Sequence, residues 1–285
     1  MRKQLIVLCG GILGAGLLFH WWQTHNALFA QRSEFVLWAA GIGILGFPAS
    51  MVLQIERTRL ILGMKTRASI VRPILMAHGI NVLLPSMLGD LYEIGALSKS
   101  SGLTKHAVLV RLIHRFSTTL AALLLLAAFA IGTLSPSMGF PLLVMAFLGP
   151  FILDLTTQQW SRRLKIPGGD QPPTIQRLGS GPTFQHICLA FFQHSCSATG
   201  VFFLGIAVGE AIGPGVAAAM LSLADMVTYL PVPIGGIGVH HWTTTSAADW
   251  LGSVPASLVA ANHGWVVLSG IICIGLANWV FDRAK

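Results

Sequence analysis

Asp225, His240 and His241 are the residues of this chain best suited to carrying a proton. Asp225 lies eight residues inside an apolar run of membrane character that begins at Ala217. An ionised carboxylate at membrane depth costs ~3 kcal/mol on insertion scales, so an acid kept there is a candidate for function. The plainer alternative is that Asp225 caps a helix or pairs with a nearby His or Arg. His240 and His241 follow within the same region. Histidine titrates near neutral pH and holds phosphate when charged; the alternative is a wetted, polar helix start. A second set, Arg111, His114 and Arg115, is spaced i, i+3, i+4 and shares one helix face. Three cations on one face suit a lipid phosphate, against the alternative of ordinary snorkelling to anionic headgroups. Asn81, Asp90 and Glu93 lie upstream. The two acids either pair with those bases or touch the substrate themselves, and Asn81 satisfies polar groups around them.

Two interruptions of the apolar pattern must position these groups. The first runs from Asn81 to Asp90 and contains Pro85 and Gly89. The second, Leu230 to His241, contains Pro231, Pro233, Gly235, Gly236 and Gly238. Proline removes a backbone donor, and glycine tolerates angles that other residues resist. At membrane depth such irregular backbone is stable only when buried in protein or lining a watery cavity. Both stretches are therefore predicted to be elbows of re-entrant hairpins that face each other across a site.

The 285 residues are 54% hydrophobic and 10% charged, with mean hydropathy +0.71. Soluble domains carry about 25% charged residues, so the composition predicts one integral membrane domain. The formal charge of +8 sits in short loops between apolar runs, which fits membrane orientation and anionic lipid rather than nucleic acid. The four cysteines, Cys9, Cys188, Cys196 and Cys273, fall within apolar runs. Their spacing suggests neither a disulfide framework nor a zinc site, and no metal or cofactor is expected. Met1 to Phe19 imitates a signal peptide, but Leu28 spoils the nearest cleavage pattern. An uncleaved first helix is expected.

In order, the sequence predicts spans at 4–22 and 35–55, a basic loop, a hairpin over 70–88 with a polar elbow from Tyr92 to Lys105, and a long helix at 106–133. A span at 139–156, a hinge loop at 157–182, a span at 183–208, a second hairpin at 212–250 and a last span at 256–281 follow. One orientation places 17 of the 18 Lys and Arg on a single side, leaving only Arg32 opposite. The positive-inside rule makes that side cytoplasmic, with both termini on it. The two hairpins then enter from opposite faces. The predicted fold class is an all-α polytopic membrane protein, an inverted repeat with two oppositely oriented re-entrant helical hairpins. Its halves are 1–156 and 183–285, meeting near the midplane as in many transporters.

The stretches Asn81-Val-Leu-Leu-Pro85 through Gly89-Asp90, with Arg115 downstream, and Leu230-Pro-Val-Pro-Ile-Gly-Gly-Ile-Gly238 carry a resemblance. In order and spacing the chain resembles the flippase-like transmembrane region of the lysylphosphatidylglycerol synthases, over roughly residues 10–280. The resemblance implies lipid translocation in a bacterial cytoplasmic membrane. No counterpart of the family's soluble aminoacyl-transferring domain is present, so lysyl-lipid synthesis is not implied. The chain departs from the family pattern at five places. Asp90 stands for Glu, Glu93 reverses an Arg, His114 replaces a Glu, Thr118 an Asp and His241 a Glu. Two acids have become histidines, so the substrate or its proton coupling should differ from the typical member.

Three functions compete. The first is a transporter or flippase for an anionic, polyprenyl-linked or hopanoid-type lipid, with Arg111 and Arg115 recruiting the headgroup and Asp225 with His241 gating or coupling to protons. The second is a scaffold for a lipid-modifying membrane enzyme. The third is an intramembrane enzyme acting on a lipid phosphate. The first is favoured, and the chain is not expected to be an enzyme. Its expected partner is membrane lipid; a second copy or a membrane enzyme is left open.

Overall fold

The computed structural model describes residues 33–62, 68–84, 88–101, 104–129, 136–163, 181–210, 212–228 and 255–282. Every regular element among them is an α-helix: α1 (Ser33–Leu62), α2 (Ala68–Leu83), α3 (Leu88–Ser101), α4 (Thr104–Phe129), α5 (Pro136–Arg163), α6 (Gly181–Ala207), α7 (Pro214–Thr228) and α8 (Ala256–Asp282). Four helices hold stretches long and apolar enough to cross a bilayer: Val36–Leu62, Ala107–Phe129, Gln185–Ala207 and Ala256–Trp279. Each meets the ~20 residues that a hydrocarbon core requires. Leu37, Trp38 and Leu45 of α1 and Ile271, Leu276 and Trp279 of α8 turn outward. Such apolar surface suits acyl chains, and the protein is membrane-embedded.

Where the hydrophobic effect cannot drive helices together, small residues let backbones approach and pack. The pair α1–α6 shows this. Gly43 lies against Gly200 and Leu204, and Gly46 against Cys196 and Gly200. The partner numbers fall as the α1 numbers rise, so the two helices run antiparallel. Further along, Ile61 of α1 shares a core cluster with Ile187 of α6. The same device joins α2 to α8, where Gly79 meets Gly270 and Ile274, and Gly270 meets Val82. Helix α7 packs instead on α4, with Ala219 buried beside Leu126 and Phe129. The short apolar helix before the hinge thus leans on a helix after it, and the short apolar helix after the hinge leans on one before it.

Several predicted boundaries move. The span expected at 35–55 continues to Leu62, so Arg57 and Arg59 are helical rather than part of a basic loop. Arg57 and Thr58 are fully buried, and side chains of other helices give both hydrogen-bond partners. The polar elbow expected from Tyr92 to Lys105 is helical through Ser101, and a new helix begins at Thr104. The span expected at 139–156 extends over Pro136–Arg163, which takes the first residues of the expected hinge into α5. The helices expected at 183–208 and 256–281 form over Gly181–Ala207 and Ala256–Asp282. The expected first span 4–22 lies outside the described residues. So do Pro85 and the second elbow with Pro231, Pro233, Gly235, Gly236, Gly238, His240 and His241.

The turn between α2 and α3 explains one motif residue. Helix N-termini leave backbone N–H groups without helical partners. The Asn81 side chain, near the end of α2, accepts the Gly89 N–H at 2.9 Å and donates its amide to Asp90 Oδ1 at 2.8 Å. One amide therefore ties the end of α2 to the start of α3. A β-carbon on Gly89 would sit 2.1 Å from the Ala77 carbonyl oxygen and 2.5 Å from Asn81 Oδ1. Only glycine admits this closure.

Candidate functional site

Asp90 occupies the first turn of α3, where a negative charge favours the helix dipole. Its carboxylate holds two guanidiniums of α4. Arg111 donates to Oδ1, and Arg115 donates through Nε to Oδ2 at 2.7 Å. Arg111 also reaches Glu93 Oε2 at 3.1 Å. Of the two alternatives for these acids, the structure shows pairing with the bases, and the first helical pair is docked on α4 by charge.

The trio on α4 divides. Arg111 and Arg115 turn toward α3, whereas His114 turns toward α1, its Nε2 3.3 Å from Thr58 Oγ1. His114 and Arg115 also line the cavity described below.

A residue the sequence assigned to a loop forms the second part of the site. Arg57 of α1 donates to Ser117 Oγ at 2.6 Å and to Thr118 Oγ1 at 3.2 Å. It also donates to Gln193 Oε1 of α6 and to the His114 carbonyl at 3.3 Å. One planar fork thereby gathers three helices, a task suited to guanidinium geometry. Ser117 adds a contact to His186 Nε2 at 3.0 Å. The signal for this cluster was present as periodicity. Gln54, Arg57 and Thr58 share one face of α1, and His186, Gln193 and Ser197 recur at seven and four residues on α6.

Asp225 of α7 forms the third part. Its Oδ2 lies 3.1 Å from His194 Nδ1, and the other ring nitrogen of His194 lies 3.2 Å from Ser222 Oγ. Asp225 thus pairs with a histidine, the plainer of its two alternatives, and the partner comes from α6.

These three parts meet at one cavity of about 280 Å³. Its lining includes the polar side chains of Arg57, Glu93, Arg111, Arg115, Gln193 and Asp225 and the apolar ones of Phe47, Met51, Val82, Leu204 and Trp265. Asn81, beside its bonds to Gly89 and Asp90, also reaches the lining, where a headgroup could meet it. Asp90 stands behind it, holding its two arginines.

No protein-family model, no curated protein and no solved structure matches the chain. The functional reading therefore rests on the cavity itself. Its volume is near the lower end of small-molecule sites, room for a headgroup and the first atoms of a tail. Its mixed lining suits an amphiphile, offering guanidiniums and amides together with aromatic and aliphatic groups.

Proposed function

We propose that this protein moves an amphiphilic lipid with a phosphate-type headgroup across the bacterial cytoplasmic membrane, as the resemblance to the flippase-like lysylphosphatidylglycerol synthase region implies. The observation that carries the reading is a cavity among membrane-length helices whose lining combines arginines with aromatic and aliphatic side chains. Its arginines would accept the headgroup, and its apolar side chains the start of the tail.

A reciprocal packing pattern supports an inverted repeat as the framework. In that scheme α1 corresponds to α6, α2 to α7 and α4 to α8. The α1–α6 pair is antiparallel, while α2 rests on α8 and α7 on α4, as a two-fold relation in the membrane plane requires. The paired helices α2 and α3 would be the first re-entrant hairpin, α7 the entering limb of the second, and the segment between α5 and α6 the join. Both termini would be cytoplasmic. Rocking of one half against the other would open the cavity to alternate sides. Arg57 and Arg115 would hold the headgroup, Asp225 would couple or gate, and Asp90 with Glu93 would keep α3 in place.

The test is lipid movement in sealed liposomes carrying labelled phosphatidylglycerol in one leaflet. Wild-type protein should equilibrate the label, and Arg57→Gln and Asp225→Asn should not. No movement by folded wild-type protein with any phosphate-bearing lipid would refute transport. Chemical conversion of the lipid in detergent would favour an enzyme instead.

A further inference from the structure

Among the described residues, the charged groups of the cavity balance. Arg57, Arg111 and Arg115 meet Glu93 and Asp225 in its wall, with Asp90 clasping two of the arginines. When ionised, three guanidiniums face three carboxylates. A dry anion entering this space finds no net attraction, although its own desolvation is costly. A net positive cavity requires one more proton.

We propose that His194, paired with Asp225, takes up that proton, and that one proton enters the cavity with each anionic headgroup. This deepens the transport reading above and rests on it. The geometry provides for both states of the ring. With one proton, on Nδ1, the ring donates to Asp225 Oδ2 across 3.1 Å and accepts the Ser222 hydroxyl at Nε2 across 3.2 Å. With two, Nε2 becomes a donor and the serine hydroxyl turns to accept. A hydroxyl is both donor and acceptor, so neither state leaves a buried ring nitrogen unsatisfied. His194 and Ser222 are buried, whereas the Asp225 side chain is 27% exposed. Asp225 is thus the open end through which a proton passes from cavity water to the ring, and back to water when the anion leaves.

The charges around His194 define its setting. Helix α1 contributes Arg57, α4 contributes His114, Arg111 and Arg115, and α8 contributes His263 to the same cavity. Glu93 of α3 and His78 of α2 complete it; no described residue of α5 lines it. A proton on His186 would stand 3.5 Å from the Arg57 guanidinium, two like charges side by side. A proton on His114, whose ring meets that of His186 at 5.3 Å, would stand in the same cluster. His78 lies on the Phe47 ring at 4.5 Å. His194 instead has a carboxylate at hydrogen-bond distance.

The experiment measures binding of short-chain phosphatidylglycerol to the full chain in detergent between pH 5.5 and 8.5, read by Trp265 fluorescence. Proton uptake is followed in the same samples by calorimetry in buffers of different ionisation enthalpy. Wild-type protein should lose affinity by up to about tenfold per pH unit over part of the range and take up about one proton per lipid. His194→Gln should bind with an affinity independent of pH and take up none, and Ser222→Ala should weaken the acid-side gain. Zero uptake by wild-type protein overturns the proposal without any variant. Uptake that persists in His194→Gln but vanishes in Glu93→Gln also overturns it and moves the proton to Glu93. Absence of lipid binding at every pH would instead refute the transport reading, and this proposal with it.

Discussion

Gly46 of α1 and Gly200 of α6 touch backbone to backbone: a β-carbon on Gly46 would sit 2.7 Å from the Gly200 α-carbon. That approach brings the polar faces of the two helices close enough for Arg57 to reach Gln193. Gly46→Leu should separate the helices at a cost of about 1–3 kcal/mol, the usual range for overpacking. The check is thermal unfolding in detergent. Gly41, whose β-carbon would meet nothing within 4 Å, is the control. Gly41→Ala should be neutral or stabilising by up to ~1 kcal/mol from helix propensity.

Removing the buried Asp90 takes a carboxylate from two half-buried guanidiniums. Breaking a buried pair from one side typically costs about 3–5 kcal/mol, and Asp90→Ala should reach the lower part of that range by the same unfolding measurement. Arg115→Gln in the Asp90→Ala background should recover part of the loss, because one of the two excess cations is gone. Equal and additive losses would mean that the pair contributes little.

Arg57→Lys keeps the charge and removes the fork. An ammonium cannot span Ser117, Thr118 and Gln193 together, so lipid movement in liposomes should drop by about tenfold or more while the protein stays folded. Arg59, which bonds Glu56 one turn away at 2.7 Å and is partly exposed, provides the comparison. Arg59→Lys should transport as wild type does.

The proposed orientation can be read from single cysteines in a cysteine-free background. Lys99→Cys and Gln159→Cys should label with an impermeant maleimide from the cytoplasmic side. Val208→Cys, in the exposed turn after α6, should label only from the opposite side. Labelling of all three from one side would rule out the inverted arrangement.

Much of this was legible in the sequence. The long apolar helices announce themselves by length, and Gly89 and Asp90 by breaking a run. The acids near Arg111 and Arg115 are their partners, as intramembrane charge predicts. Arg57 was misread because a cluster of basic residues after an apolar run resembles a cytoplasmic loop. Only the facing polar stripe of α6 shows that the helix continues. Residues 92–105 were misread for the same reason: polarity signals a loop, yet Glu93 is polar because α4 presents arginines to it. The His194–Asp225 contact joins two helices, and no spacing within one chain segment reveals it.

The seating of α2 on α8 has a consequence for how the protein is made. Gly79 and Val82 find their partners only when residues 256–282 have been synthesised. At ~5–20 residues per second the first hairpin waits on the order of 10 s or more for that surface. During this interval His78 and Asn81 have no finished wall opposite them. If α2 and α3 dip into the bilayer as proposed, the nascent chain depends on the insertion machinery, or on an early grip of Asp90 by Arg111 and Arg115, to hold them there until the last helix arrives.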